Sequence, residues 1–195
     1  YLDDATVPNG SICPTFCVAK LQVNNQRWAG VPFIMKAGKA LDERKAEIRI
    51  QFKDVPGAPF MFDGLFAPRN ELVIRLQPDE SIYLKMNIKG PGLRSNPTQS
   101  ELDLNYKTRY PGVYNPDAYT RLILDVIRGK QATFVRTDEL LSSWTIFSPL
   151  LHQLEREHIV PIPYPYGSRG PPEADEMISS LGFRRAADYE WTSQA

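Results

Sequence analysis

Cationic side chains recur at alternate positions along three segments whose intervening residues are apolar. The cations are Lys45, Arg49, Lys53, Arg75, Lys85 and Lys89. A single acid, Glu47, occupies a position of the same kind. The polar and aromatic residues at positions of the same parity are Gln51, Gln77, Tyr83 and Asn87. Arg and Lys bind phosphate groups, and an aromatic ring beside a cation can stack on a nucleobase. The pattern thus fits an anion site, while cations that merely keep an exposed sheet face soluble would produce it equally well.

A glycine turn adds further cations at one end of this region. Gly38 is followed by Lys39, Arg44 and Lys45. The segment is not a Walker loop, which needs a second glycine followed by Lys-Ser or Lys-Thr. By itself it is more typical of a solvated loop than of a phosphate site. Single-stranded nucleic acid is another conceivable ligand of the cations, although the aromatic residues are too sparse for a stacking platform.

Other residue types that often carry chemistry form no recognisable site. His152 lies on a predicted helix and His158 follows it, with no Cys or carboxylate at ligand spacing, so we expect no metal site. Cys13 and Cys17 are expected on the same side of one strand, as free buried thiols. There is no Gly-x-Ser-x-Gly motif for a nucleophile. We therefore predict no catalytic residue in this chain.

Composition places the chain among ordinary globular proteins. It has 195 residues, with 23 basic and 23 acidic side chains. The length indicates one domain over residues 1–195, and the zero net charge gives no reason to expect a nucleic acid or a membrane as partner. No apolar run approaches the ~18 residues of a membrane span. The low cysteine content favours a reduced cytosolic setting, and an opening without Met or a signal-like segment is interpreted as a fragment or a processed chain.

The residues that could bind anions must be positioned by strands. Period-two alternation predicts strands over residues 45–53, 72–77 and 82–89, with a turn over residues 78–81 that makes the last two antiparallel. Weaker strand candidates cover residues 15–23, 31–35 and 101–106. If the apolar side chains of these strands pack against helices, the cations share the opposite, open face.

Helices are predicted in the second half of the chain. Asn115 is a suitable N-cap for a helix that ends before Gly129. A second helix should start near Thr137, and Pro149 should kink it or break it near Ser148. A third runs over residues 172–181, after a proline-rich stretch at 161–165 that we expect to be a rigid strap. Strands followed by helices predict an α+β fold, a largely antiparallel mixed sheet with helices packed on one face and the other face used for ligand and subunit contacts.

Several short motifs occur together in a characteristic order. They occupy residues 27–33, 38–47, 69–75, 116–125, 134–140 and 166–171. Over residues 1–191 the chain closely resembles the C-terminal portion of the glucose-6-phosphate dehydrogenase family. Members of that family oxidise D-glucose 6-phosphate to 6-phosphoglucono-1,5-lactone, reduce NADP in the oxidative pentose phosphate pathway, and are expected in the cytoplasm. The resemblance implies that the dinucleotide-binding domain and the catalytic His lie upstream, so this chain alone should be inactive.

The resemblance also implies binding roles for individual residues. Those that match substrate-contacting positions are Lys39, Arg44 and Gln77. Those that match a second, structural NADP site are Lys36, Lys45, Arg49, Arg75, Tyr83, Lys85, Asp103, Arg169 and Trp191. Lys36 stands where the family pattern has Arg, and Arg185 where it has Tyr. An Arg could still stack on adenine, so the site is expected to be altered rather than lost.

Self-association is the other role that the resemblance implies. The same sheet forms the subunit interface of the family, so a dimer or a tetramer is expected, with glucose 6-phosphate as the small-molecule partner. Two alternatives remain from the residues alone. One is a non-enzymatic module that binds a polyanion, and the other is a dimerisation segment whose cations are solvated or paired with acids.

Overall fold

The computed structural model describes residues 1–61, 67–93 and 97–185, and it shows an α+β architecture, as predicted. The chain forms two compact units. The helical unit comprises residues 1–15 and 112–163, and the sheet unit comprises residues 16–111 with the segment that begins at Tyr164. Most of the candidate residues lie in the sheet unit.

Six strands form two antiparallel sheets in the sheet unit. The strands β1 (Phe16–Leu21) and β2 (Phe33–Gly38) pair with each other. The other strands are β3 (Ala46–Gln51), β4 (Glu71–Gln77), β5 (Ser81–Lys89) and β6 (Pro97–Asn105), and they form a second sheet in the order β3-β4-β5-β6. Two single-turn helices, α1 (Ala58–Met61) and α2 (Tyr106–Arg109), follow β3 and β6. The strands and the turn at residues 78–81 confirm the period-two prediction.

The register of the second sheet separates its side chains into a polar side and an apolar side. On the polar side, one cross-strand row is Arg49, Val73, Tyr83 and Asp103, and the next is Gln51, Glu71, Lys85 and Glu101. On the apolar side, one row is Ile50, Leu72, Leu84 and Leu102. The antiparallel register therefore gathers the alternating cations of three strands on one side, as expected.

The prediction of which side is buried is wrong. Tyr83 and Lys85 on the polar side are 1% and 3% exposed, whereas Ile48 and Leu102 on the apolar side are 51% and 64% exposed. One cover over the polar side is the turn after the last described helix, because the Gln51 side chain donates to the carbonyl oxygen of Arg184 at 2.6 Å. Alternation tells two sides apart but carries no information about which one the rest of the chain covers.

The remaining helices follow the prediction with two corrections. Helix α3 (Ala118–Ile127) is capped by Asp117 rather than by Asn115, since an Asp117 side-chain oxygen accepts from the Thr120 amide at 2.7 Å. Helix α4 (Thr137–Arg156) continues through Pro149 and is not broken near Ser148. A proline removes one hydrogen bond of a helix, and the bonds on either side carry this long helix past it.

Helix α5 (Pro172–Ser180) ends before Gly182, as predicted. Cys13 and Cys17 are free, as predicted, but both are exposed rather than buried, and Cys13 precedes β1 instead of lying on it. Among the residues that the structure describes, no helix is both long and apolar enough to cross a membrane.

Candidate functional site

A charge cluster occupies the centre of the polar side, and we define it as Glu47, Arg49, Glu71 and Lys85, of which Glu71 and Lys85 are buried and the other two are partly exposed. The Arg49 guanidinium bridges two strands, donating to Glu71 at 2.7 Å and to Glu47 at 2.9 Å. The Lys85 ammonium lies 3.8 Å from the same Glu71 carboxylate. Glu71 also accepts from the Gln51 amide at 2.7 Å. Each of these cations is thus paired with a carboxylate of the same sheet face.

The acids of this cluster correct the charge expected for the sheet face. The alternating pattern in the sequence placed only one acid, Glu47, on the same face as the cations. It left out Glu71, because the predicted strand began at residue 72. The register adds Glu71, Glu101 and Asp103 to the same side. The acids and cations of the polar side therefore nearly balance. This side does not present the row of cations that the sequence predicted.

Burial shifts the ionisation of several of these groups. Burial, with a smaller contribution from the nearby Arg49 charge, lowers the pKa of Lys85 to about 8. Burial also raises the pKa of Glu101. For Glu47, burial works against ionisation, but Arg49, Lys45 and Arg75 together outweigh it and hold the pKa of that carboxyl below its usual value. Within the charge cluster, the surroundings therefore destabilise the charged form of Lys85.

A second group of charges, the outer cluster, consists of Lys36, Arg169 and Asp175. Arg169 donates to both carboxylate oxygens of Asp175, at 3.2 and 3.3 Å, and the Lys36 ammonium lies 3.9 Å from that carboxylate. Arg169 holds the pKa of Asp175 below its usual value. Burial and the Arg169 charge lower the pKa of Lys36. The Lys36 and Arg169 side chains remain 25% and 38% exposed, so an incoming anion can reach them.

Lys45 lies between the two clusters. Its ammonium is 2.6 Å from Glu43 and 3.7 Å from Glu47, and its charge contributes to the lowered pKa of Lys36. The sequence reasoning missed Asp175, the acid that joins the outer cluster. An acid in the first turn of a helix signals a helix start, and no pattern in the sequence connects it with Lys36, which lies far away in the chain.

The predicted substrate-side residues lie at the exposed edge of the sheet unit. Lys39 and Arg44 are exposed in the loop between β2 and β3, and Gln77 ends β4 opposite Ala46. The start of this loop is held by a segment distant in sequence. Gly167 donates its amide to the carbonyl oxygen of Ala40 at 2.8 Å, and Asp42 donates to Ser168 at 2.9 Å. The Gly-Lys-Ala-Leu segment is thus an ordered part of the fold rather than a free solvated loop.

The residues predicted for a structural NADP fall into two groups by accessibility. Lys36, Lys45, Arg49 and Arg169 can contact a phosphate from solvent, since their side chains are 25% to 38% exposed. Arg75 and Lys85 are less accessible, with side chains 16% and 4% exposed, and they lie close to acids of the sheet. Asp103 is exposed on β6 beside Tyr83, whose ring is shielded. Trp191 lies outside the described residues.

The accessible donors fit a phosphate-bearing group. They are Lys and Arg side chains, which suit a phosphate dianion, and Arg169 offers a planar fork. Within the described part of the chain, Ser81 Oγ is buried without a hydrogen-bond partner, so one hydroxyl donor of the polar side is unused, whereas the unpartnered Glu101 Oε1 is an acceptor and does not favour an anion. Across the described ranges, no group of His, Cys, Asp or Glu is arranged to hold a metal ion. The exposed cations of this arrangement are thus suited to binding anions.

Comparison with solved structures supports this reading of the fold. A structure described as glucose-6-phosphate dehydrogenase in complex with its substrate glucose-6-phosphate aligns with a TM-score of 0.82 at 47% identity, over 95% of this chain and 38% of that chain. A glucose-6-phosphate 1-dehydrogenase from Mycobacterium avium aligns with a TM-score of 0.77 at 26% identity, over 98% of this chain and 39% of that chain.

Sequence comparison agrees over nearly the whole chain. The cytoplasmic isoform of glucose-6-phosphate 1-dehydrogenase from Solanum tuberosum is 57% identical over 98% of this chain, and the Bos indicus enzyme is 56% identical over 99%. In both cases the chain spans 37% of the relative's length. Residues 1–192 match the family described as glucose-6-phosphate dehydrogenase, C-terminal domain. The chain therefore belongs to the glucose-6-phosphate dehydrogenase C-terminal domain family.

Proposed function

We propose that this chain is the substrate-contacting and dinucleotide-contacting portion of an NADP-dependent glucose-6-phosphate dehydrogenase. The full-length protein would oxidise D-glucose 6-phosphate to 6-phosphoglucono-1,5-lactone. The observation that carries the proposal is the ordered Gly-Lys-Ala-Leu segment, which presents Lys39 and Arg44 at an exposed edge of the sheet unit in a chain of this family. The name of the Solanum tuberosum relative also supports a cytoplasmic location.

The residues of this chain bind and orient the sugar phosphate in this proposal. Lys39 and Arg44 hold the phosphate through charge-assisted hydrogen bonds, and Gln77 bonds the sugar hydroxyls. Binding of the phosphate fixes the orientation of the sugar, so that C1 is held in position for the reaction. The base that removes the proton from the anomeric hydroxyl lies outside this chain. NADP bound by the rest of the protein supplies the hydride acceptor.

A second dinucleotide is the finer part of the proposal. Lys36, Lys45, Arg49 and Arg169 would hold its phosphates, because they are the more exposed cations of the predicted set. Arg75 and Lys85 would support the site from beneath, while Tyr83, Asp103 and Trp191 remain predicted contacts. At this position a dinucleotide stabilises the sheet unit and carries out no hydride transfer.

The substrate assignment is tested by Lys39→Met in the full-length protein. We expect the KM for glucose 6-phosphate to rise roughly tenfold or more, since a bond to a charged group is lost, with the KM for NADP unchanged. Lys130→Met is the matched control, because Lys130 is an exposed lysine of the helical unit. Equal KM values for both variants would refute the assignment of Lys39.

Self-association, as a dimer or a tetramer, completes the proposal. Support comes from the apolar side of the β3–β6 sheet, where Ile48, Ile50 and Leu102 are exposed in this chain, so that either the rest of the full-length protein or a second subunit would cover them. Light scattering on the full-length protein measures the mass directly. A monomeric mass at micromolar concentration would contradict this part. The polyanion-binding alternative is disfavoured, because the cations of the polar side are paired with acids.

A further inference from the structure

The backbone of Lys39 is held by a tyrosine that the predicted site does not include. The Tyr164 hydroxyl donates to the Lys39 carbonyl oxygen at 2.8 Å. Tyr164 lies 125 positions away in sequence, so the bond joins two distant parts of the sheet unit. The Lys39 side chain itself is exposed, and it forms no ion pair with the described residues. The tyrosine thus acts on the backbone of a lysine whose side chain is left available to ligand.

The tyrosine ring is fixed by packing as well as by its hydroxyl. Its centroid lies 5.5 Å from that of Phe16, with the two rings tilted by 56°. The Phe16 ring in turn packs closely against the backbone at Gly38 and at Gly170. A Cβ added at Gly38 would lie 2.7 Å from the Phe16 ring, and one added at Gly170 would lie 2.4 Å from it. Phe16 is therefore wedged between the start of the Lys39 loop and the segment that follows Tyr164.

Backbone contacts also attach the residues after Lys39 to the segment that follows Tyr164. Leu41 and Ser168 form a parallel bridge, and bonds from Gly167 to Ala40 and from Asp42 to Ser168 flank it. Ala40 adopts a left-handed conformation, with φ 53°, which a non-glycine residue holds only when its neighbours enforce it. The bond from Tyr164 anchors the residue directly before this strained position.

From these contacts we infer that Tyr164 is a positioning residue for binding of the sugar phosphate, acting through the backbone of Lys39. The inference rests on the proposed assignment of Lys39 to the substrate phosphate. Holding the Lys39 carbonyl removes a backbone rotation that phosphate binding would otherwise have to freeze. Tyr164 itself touches neither substrate nor cofactor.

The test is Tyr164→Phe in the full-length protein, which removes the hydroxyl and retains the ring. We expect the KM for glucose 6-phosphate to rise roughly twofold to tenfold, a change no larger than the free energy of one neutral hydrogen bond, with kcat and the KM for NADP retained. Tyr166→Phe is the matched control, since Tyr166 is 91% exposed and lies in the same segment. An unchanged KM in Tyr164→Phe would overturn the inference.

A second measurement separates positioning from a general structural role. In a Lys39→Met background, Tyr164→Phe should raise the KM no further, because the tyrosine acts through Lys39. An equal additional rise in that background would overturn the inference, since Tyr164 would then act by another route. Lys39→Met alone decides the proposed function. If it raises the KM and Tyr164→Phe does not, the substrate assignment stands and this inference fails.

Discussion

At the scale of single residues, the buried lysine of the charge cluster sets a pH dependence that is unusual for a lysine. Its pKa falls from 10.5 to about 8 in the folded protein. Between those two pH values the unfolded chain holds a proton that the folded chain has released. The free energy of unfolding therefore rises with pH in this window, by up to about 1.4 kcal/mol per pH unit from this group. Below pH 8 the cost of the buried charge is constant.

This dependence is measured by urea denaturation of the full-length protein and of Lys85→Met at several pH values from 7 to 10. We expect the stability of the wild type relative to the variant to increase with pH above about 8. Lys107→Met is the control, because Lys107 is exposed on α2 and should leave the dependence intact. A wild-type advantage that stays constant over this range would show that Lys85 keeps an ordinary pKa.

Asp175 gives a second prediction at this scale, concerning the affinity for the dinucleotide. It pairs with both Lys36 and Arg169, so a phosphate must compete with its carboxylate. We expect Asp175→Asn to lower the Kd for NADP by about twofold to fivefold, a modest gain because the group is partly exposed, and to lower the Kd for NAD by less, because NAD has one phosphate fewer. Thermal shifts of the full-length protein with each dinucleotide measure this, with Glu173→Gln as the control on the same helix turn. Weaker NADP binding would mean that Asp175 orients Arg169 instead.

At the scale of elements, the start of α3 depends on one carboxylate. Asp117 accepts from the Thr120 amide, whereas Asn115, the cap predicted from sequence, lies two residues too early. We expect Asp117→Ala to lower the melting temperature by a few degrees and Asp117→Asn to retain most of it, because Asn also caps helices well. Calorimetry measures both variants. Equal losses for Ala and Asn would indicate that the charge, rather than the cap, is what matters.

What sequence can predict is clearest for the same elements. Alternation located β3, β4 and β5 and grouped Arg49, Tyr83 and Lys85 on one side, because a period of two is a local property of the chain. It could not show that this side is buried, since covering depends on segments such as residues 182–184, which lie far away in sequence. Asp175 and Tyr164 escaped notice for the same reason. Their partners are set by the fold and not by spacing.

At the scale of the whole molecule, the exposed apolar side of the β3–β6 sheet requires explanation. Ile50 is nearly half exposed, and it lies in a cross-strand row with Leu72, Leu84 and Leu102. This chain spans only 37% of the length of the Solanum tuberosum relative. Leaving such a surface in water costs roughly 25 cal/mol per Å² of apolar area. We therefore predict that this side is covered in the full-length protein.

The substitution Ile50→Lys tests that cover. A lysine on an open surface changes stability by less than about 0.5 kcal/mol, whereas a lysine forced under a cover leaves a desolvated charge without a partner. We expect Ile50→Lys to lower the melting temperature of the full-length protein by many degrees, and Ile50→Val to lower it only slightly, since Val keeps the site apolar. If the lysine variant melts like the wild type, the apolar side is open to water in the full-length protein too.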